Sequence, residues 1–181
     1  MKKSLIYICL SFFILTAFTS NSTNYVEEGF KAFKAKNYQQ AIGYYDKALK
    51  KEASNVQALN GKGVALAFSG KPKEGLKYIN KALQIKPNYW TAYFNAGLAN
   101  ELAGNYTAAI LAYKKIIAHD AKNTWSHYGI ACAYGQMGNA PVAVKHLKNA
   151  IGLDKNVKIK ARTEKDFNKI RKDKRFLEVI K

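Results

Sequence analysis

The sequence repeats itself with a fixed period. A shift of 34 residues brings four segments into register without a gap, beginning near Ser22, Val56, Trp90 and Thr124. Gly29, Gly63 and Gly97 share a column that Ala131 completes. Ala41, Gly75, Ala109 and Ala143 form a second small-residue column, beside Ile42, Leu76, Ile110 and Val144. Tyr45, Ile79, Tyr113 and Leu147 follow three residues on, and the columns Ala48, Ala82, Ile116, Ala150 and Leu49, Leu83, Ile117, Ile151 come next. Each unit of a chain with such a period is one supersecondary element that cannot bury its apolar face alone. The units must therefore stack on one another.

Spacing within the unit fixes its secondary structure. Ala41, Tyr45, Ala48 and Leu49 recur at intervals of three and four, which places them on one face of a helix. Glycine and alanine columns mark where two helices approach closely. Between the helices of each unit lie Lys36-Asn37, Gly70-Lys71, Gly104-Asn105 and Gly138-Asn139. Glycine there permits the left-handed backbone that ends the first helix. Pro72 and Pro141 fall in the opening turn of second helices, where the missing N–H is harmless, and Pro87 follows the second helix of the second unit. The expected fold is all-α: four antiparallel helix pairs over residues 22–55, 56–89, 90–123 and 124–157.

The unit resembles the tetratricopeptide repeat. "NYQQAIGYYDKAL" from Asn37 to Leu49 and "NYTAAILAYKKII" from Asn105 to Ile117 carry the resemblance best. The second and fourth units fit less well, with Gly75 where alanine is usual and His127 where a large apolar residue is usual. The proline at the end of a unit appears only as Pro87, with Ala53, Ala121 and Lys155 in its place. The resemblance covers residues 22–155 and implies an α-solenoid whose first helices line a concave surface. By that resemblance, the partner-facing residues are Phe30, Asn60, Val64, Phe68, Phe94, Asn95, Leu98, Glu101, Tyr128 and Gln136. Aromatic groups on such a wall suit an extended peptide or a partner helix. Some members of the family clamp a chaperone's terminal carboxylate with inward Lys, Asn and Arg. The corresponding places here are Val26, Phe30, Gly61, Thr91 and Asn95, of which none is Lys or Arg and only Asn95 has an amide donor, so that use is not expected.

The two ends of the chain lie outside the repeat. Met1-Lys2-Lys3 precedes an uncharged run from Leu5 to Phe18. That run would span roughly 20 Å as a helix, short of the ~30 Å hydrocarbon core. Residues 1–21 read as a secretory signal peptide, with Ala17 and Ser22 as cleavage positions, or alternatively as an uncleaved anchor. Export to the periplasm or exterior is the expectation that follows. Cys9 lacks the small-residue approach of a lipidation site, and cleavage would leave Cys132 alone, best read as a small apolar core residue. Residues 156–181 are basic. Thr163 followed by Asp166 reads as a helix N-cap, with Phe167 and Ile170 on one face. Asp173 restarts a short helix carrying Phe176, Leu177 and Ile180, and together these cap the array.

Chemistry is harder to find than packing. His119, His127 and His146 show no metal-ligand spacing, the carboxylates are scattered, and no phosphate-binding glycine loop or GxSxG turn occurs. Gly61-Lys62-Gly63 falls inside a first helix, where the glycines serve packing. The expectation is a non-catalytic binding protein without cofactor, metal or small-molecule substrate. A net charge of +18 supports an alternative: a basic surface that holds an anionic polymer or membrane, with nucleic acid the less expected partner.

Overall fold

Each helix pair closes through the same turn. In the computed structural model, which describes residues 22–181, the first helix α1 covers residues 22–34 and ends at Lys36, whose φ is +62°. Asn37 N–H reaches back to the Ala32 carbonyl and Lys36 N–H to that of Phe33, both at 2.9 Å. This is the doubly bonded reversal that a left-handed residue makes possible. Gly70, Gly104 and Gly138 take the equivalent places with φ of +90°, +74° and +76°. Lys71, Asn105 and Asn139 donate to Leu66, Asn100 and Tyr134 in the same pattern.

The second helix of the first pair, α2, runs Tyr38–Lys51. The following pairs are α3 (Val56–Phe68) with α4 (Pro72–Ile85), α5 (Trp90–Leu102) with α6 (Tyr106–His119), and α7 (Thr124–Gln136) with α8 (Ala140–Leu153). Thus α3, α5 and α7 start at the residues where the sequence repeat restarts. Asn55, Asn123 and Asn139 cap α3, α7 and α8 by accepting from Ala58, Ser126 and Val142 N–H. All secondary structure among the described residues is helical.

The chain divides into two compact units, one ending at Asn88 and the other running from Tyr89 to Lys181. In the first, Tyr45 is buried among Ala32, Ala41, Ala48, Ala58 and Ala65. Its ring lies where a Cβ on Gly29 would come within 2.7 Å, and a Cβ on Gly61 closer still. The second unit repeats the device. Tyr113 is fully buried, and its ring fills the space beside Gly97 and Gly129, where an added Cβ on Gly129 would sit 2.5 Å away. Between α3 and α4 the filler is Ile79, and Gly75 brings its carbonyl to 2.7 Å from where a Gly63 Cβ would lie.

Residues 156–181 form three short elements: α9 (Asn156–Thr163), a 3-10 turn (Lys165–Ile170) and α10 (Lys174–Ile180). Phe167 and Phe176 are fully buried in one cluster with Leu147, Val157 and Ala161. Asp173 caps α10 by accepting from Arg175 N–H. The predicted cap at Thr163 is incorrect. Thr163 closes α9, and Glu164 caps the following turn by accepting from Lys165 N–H. The buried pair Val157 and Ala161, four residues apart, belongs to a helix that starts about two turns earlier than the cap signature indicated. The proposed leader, Cys9 and Ala17 lie outside the described residues. Ser22, however, is buried in α1, donating to Glu52 and accepting from the Asn55 amide at 3.1 Å each. No helix among the described residues is long and apolar enough to cross a membrane.

The tyrosine seats give a stability test. Gly129→Ala and Gly61→Ala should each lower the unfolding free energy by about 1–3 kcal/mol, because the ring beside them is boxed in. Gly43, an exposed position of α2 with nothing within 4 Å of an added Cβ, should instead gain about 0.5–1 kcal/mol on replacement by alanine. Urea titration followed by circular dichroism reads both. Lys36→Gly should also stabilise, by about 1 kcal/mol, by relieving the left-handed lysine.

Candidate partner-binding faces

Four of the predicted site residues belong to α1 and α3 in the first unit. Phe30 is 56% exposed and Phe68 40% exposed, Val64 is half-buried, and Asn60 is buried at 6%. Asn60 therefore presents no side chain to a partner, which corrects its assignment. Phe68 stands in an aromatic cluster with Phe33 (centroids 5.5 Å, edge-on) and Tyr38 (5.9 Å). Phe33 and Tyr38 are themselves 5.5 Å apart. Lys34 places its ammonium 5.6 Å over the Phe30 ring, a cation–π arrangement. Phe30 and Phe68 thus present their rings to solvent beside the half-buried Phe33 and Tyr38.

The other six lie in the second unit. Phe94 leans its ring on Tyr113 at 5.5 Å, so it supports the core rather than standing out from it. Asn95 and Leu98 are half-buried. Tyr128 is buried at 5% and its hydroxyl donates to Glu164 at 3.3 Å. The Gln136 amide donates to Asp166 at 2.7 Å. Phe167 sets its ring edge-on to Tyr128 at 6.0 Å, and Gly135 leaves room for the Asp166 carbonyl where a Cβ would come within 2.7 Å. The inward face of α7 is thus occupied by the 3-10 turn of the same chain. Tyr128 and Gln136 are bound internally, which corrects their assignment as partner contacts. Nothing in the repeat columns announces this, because the occupant lies outside the period.

The remaining singled-out groups behave structurally. His127 Nε2 bonds the Ala121 carbonyl at 3.1 Å and so must donate, which makes its Nδ1 the acceptor for His146 Nδ1–H at 3.1 Å. Burial, then His127, Lys145 and Lys114, hold His146 down to about 4, consistent with a neutral ring. Burial pushes the Cys132 thiol well up, so it is a poor nucleophile. Among the described residues, no group of three or more His, Cys, Asp or Glu side chains is placed to hold a metal. A basic feature did escape sequence reading. Lys73, Lys77 and Lys81 line one face of α4, and Lys50, Lys62, Tyr78 and Lys81 border a cleft of about 390 Å³ with Asp46 and Leu49.

Residues 31–89 and 69–124 match the family model described as Tetratricopeptide repeat, which together span just over half of the chain. Hsp70-Hsp90 organizing protein 3 of Arabidopsis thaliana is 28% identical over 97 residues, 54% of this chain and 17% of that protein. Small glutamine-rich tetratricopeptide repeat-containing protein 2 of Mycosarcoma maydis is 28% identical over 113 residues, covering 62% of this chain and 32% of that protein. The chain spans at most about a third of the length of these relatives. Two crystal structures superpose over most of it. MamA protein has a TM-score of 0.69 at 21% identity, with 90% of this chain and 91% of that chain covered. YrrB, described as a TPR protein with an unusual peptide-binding site, has a TM-score of 0.63 at 16% identity, covering 90% and 88%. At these identities the superpositions show a common fold.

One electrostatic consequence follows from the occupied face. Glu101 accepts from the Tyr113 hydroxyl at 3.0 Å, while its Oε1 is buried without a partner among the described residues. Burial raises its pKa to about 8, against the lowering by Tyr113 and with further raising by Asp166 and Glu164. A carboxyl whose folded pKa lies above its unfolded value of 4.5 binds more protons folded than unfolded. Stability must then fall as pH rises from about 4.5 to about 8. Glu101→Gln should flatten this slope and leave the variant more stable than the parent at pH 9. Equal slopes in chemical denaturation from pH 5 to pH 9 would contradict the assignment.

Proposed function

We propose that this chain, which belongs to the tetratricopeptide repeat family, is a non-catalytic scaffold of the cell envelope that holds a peptide or protein partner on the aromatic face of α1 and α3. The observation that carries this reading is the contrast in exposure. The α1/α3 face keeps Phe30 and Phe68 in solvent beside Phe33 and Tyr38, whereas the face of α7 is filled by the chain's own tail. Large rings held at fixed positions by helices lose little entropy on binding and provide concentrated apolar contact. The peptide-binding site in the description of YrrB, and the organizing role in the name of Hsp70-Hsp90 organizing protein 3, agree with this kind of use. The envelope location rests on the charged start and apolar run of residues 1–21.

A second reading has its own observation, the lysine row Lys73, Lys77 and Lys81 on α4 beside Lys50. Such a row would hold an anionic polymer or headgroup by charge. The two separate by salt and by mutation. Proteins captured from an envelope extract through the aromatic face should persist at about 1 M salt, where the Debye length is about 3 Å. They should be depleted about tenfold, equivalent to about 1.4 kcal/mol, by Phe30→Ala with Phe68→Ala. Capture that instead vanishes in salt and with Lys77→Glu plus Lys81→Glu would favour the lysine row.

A further inference from the structure

The chain carries a worked example of what a first-helix face accepts. On α7, the bound segment is Glu164-Lys165-Asp166-Phe167: an aromatic ring set edge-on to Tyr128, with carboxylates held by the Tyr128 hydroxyl and the Gln136 amide. Phe167 is fully buried there. The 34-residue register shows which side chains take these places in the first unit. The column of Gln136 holds Lys34 on α1 and Phe68 on α3, and the column of Cys132 holds Phe30 and Val64. The amide donor that grips Asp166 is therefore replaced on α1 by an ammonium, whereas the column of Tyr128 holds Val26 and Asn60 and that of Gly135 holds Phe33 and Ala67, so the ring contact has to be made elsewhere, at Phe30 and Phe68.

We infer that the α1/α3 face takes an acidic peptide carrying an aromatic residue, the ring docking against Phe30 and Phe68 and a neighbouring carboxylate meeting Lys34. The inference rests on the scaffold reading above and adds the ligand's chemistry. Three observations converge on it. Lys34 has its ammonium over Phe30 and no carboxylate partner among the described residues, so the cation and the ring form one composite anchor. Its neighbour Lys31 is by contrast already paired with Glu28 at 2.7 Å. Charge is complementary as well. From residue 22 to residue 88 the sequence has 12 Lys against five Asp and Glu, a balance of +7 that would repel a basic ligand and draw in an acidic one. The third is the tail itself, in which the side chain at the Lys34 place of α7, Gln136, holds a carboxylate at 2.7 Å.

The test uses the full chain and four labelled peptides read by fluorescence anisotropy. The probes are Glu-Glu-Asp-Phe-Asp-Glu, the same peptide with Phe replaced by Ala, Gln-Gln-Asn-Phe-Asn-Gln, and Lys-Lys-Lys-Phe-Lys-Lys. The first should bind at least about tenfold more tightly than each of the others. Phe30→Ala with Phe68→Ala, and separately Lys34→Glu, should weaken it about tenfold while circular dichroism stays unchanged. If the neutral aromatic peptide binds equally well and is lost on Phe30→Ala with Phe68→Ala, the acidic specificity is wrong and the scaffold reading stands. If the first peptide binds but ignores all three substitutions, the assigned face is wrong. If no peptide binds and light scattering shows a dimer that Phe30→Ala with Phe68→Ala dissociates, a second copy is the occupant and the inference fails.

Discussion

A buried tyrosine ring resting against two glycines organises each unit. Tyr45 lies on Gly29 of its own hairpin and Gly61 of the following one; Tyr113 does the same with Gly97 and Gly129. One side chain thus ties a hairpin together and, within its unit, joins it to its neighbour. The arrangement needs both partners. A ring of this size fits only where two helices lack side chains, and the bare helices would leave a void without the ring. Where the filler is Ile79, the helices draw together until Gly63 and Gly75 meet backbone to backbone. Gly75 departs from the alanine of its column because a Cβ there would run into the Gly63 carbonyl.

Much of this was open to reading from the residues. The period, the helix pairs and the left-handed turns follow from column identity, and even Lys36, with no glycine at its place, is forced into the same φ by the turn around it. The tyrosine seats were half legible. Tyr45 precedes Gly61 and Tyr113 precedes Gly129 by the same interval, while Ile79 and Asn95 hold the corresponding places in between. The site was less readable, for a physical reason. A column states which way a side chain points from its helix and says nothing of what arrives from outside the repeat. Tyr128 and Gln136 lie on a face of α7 that Glu164, Asp166 and Phe167 cover. Asn60 shares the column of Tyr128 and is buried as Tyr128 is.

The two units therefore use equivalent helix faces to different ends. In the second, polar and aromatic groups are consumed by an internal segment, and the desolvated Glu101 beside it is held neutral near pH 7. In the first, the rings are left to solvent and a lysine stands among them. This contrast in exposure between equivalent helix faces is the observation on which the partner proposal rests.

The tail has a consequence for how such a chain can grow. Val157 and Ala161 of α9 sit in the core where another hairpin's opening helix would go, and Phe176 of α10 completes the cluster against Leu147 of α8. A gene duplication that inserted one more 34-residue segment ahead of Asn156 would keep this closing surface and extend the stack. The same segment added after Lys181 would find the rings of Phe167 and Phe176 already buried. Lengthening of this architecture is thus directional, open in the interior and shut at the tail.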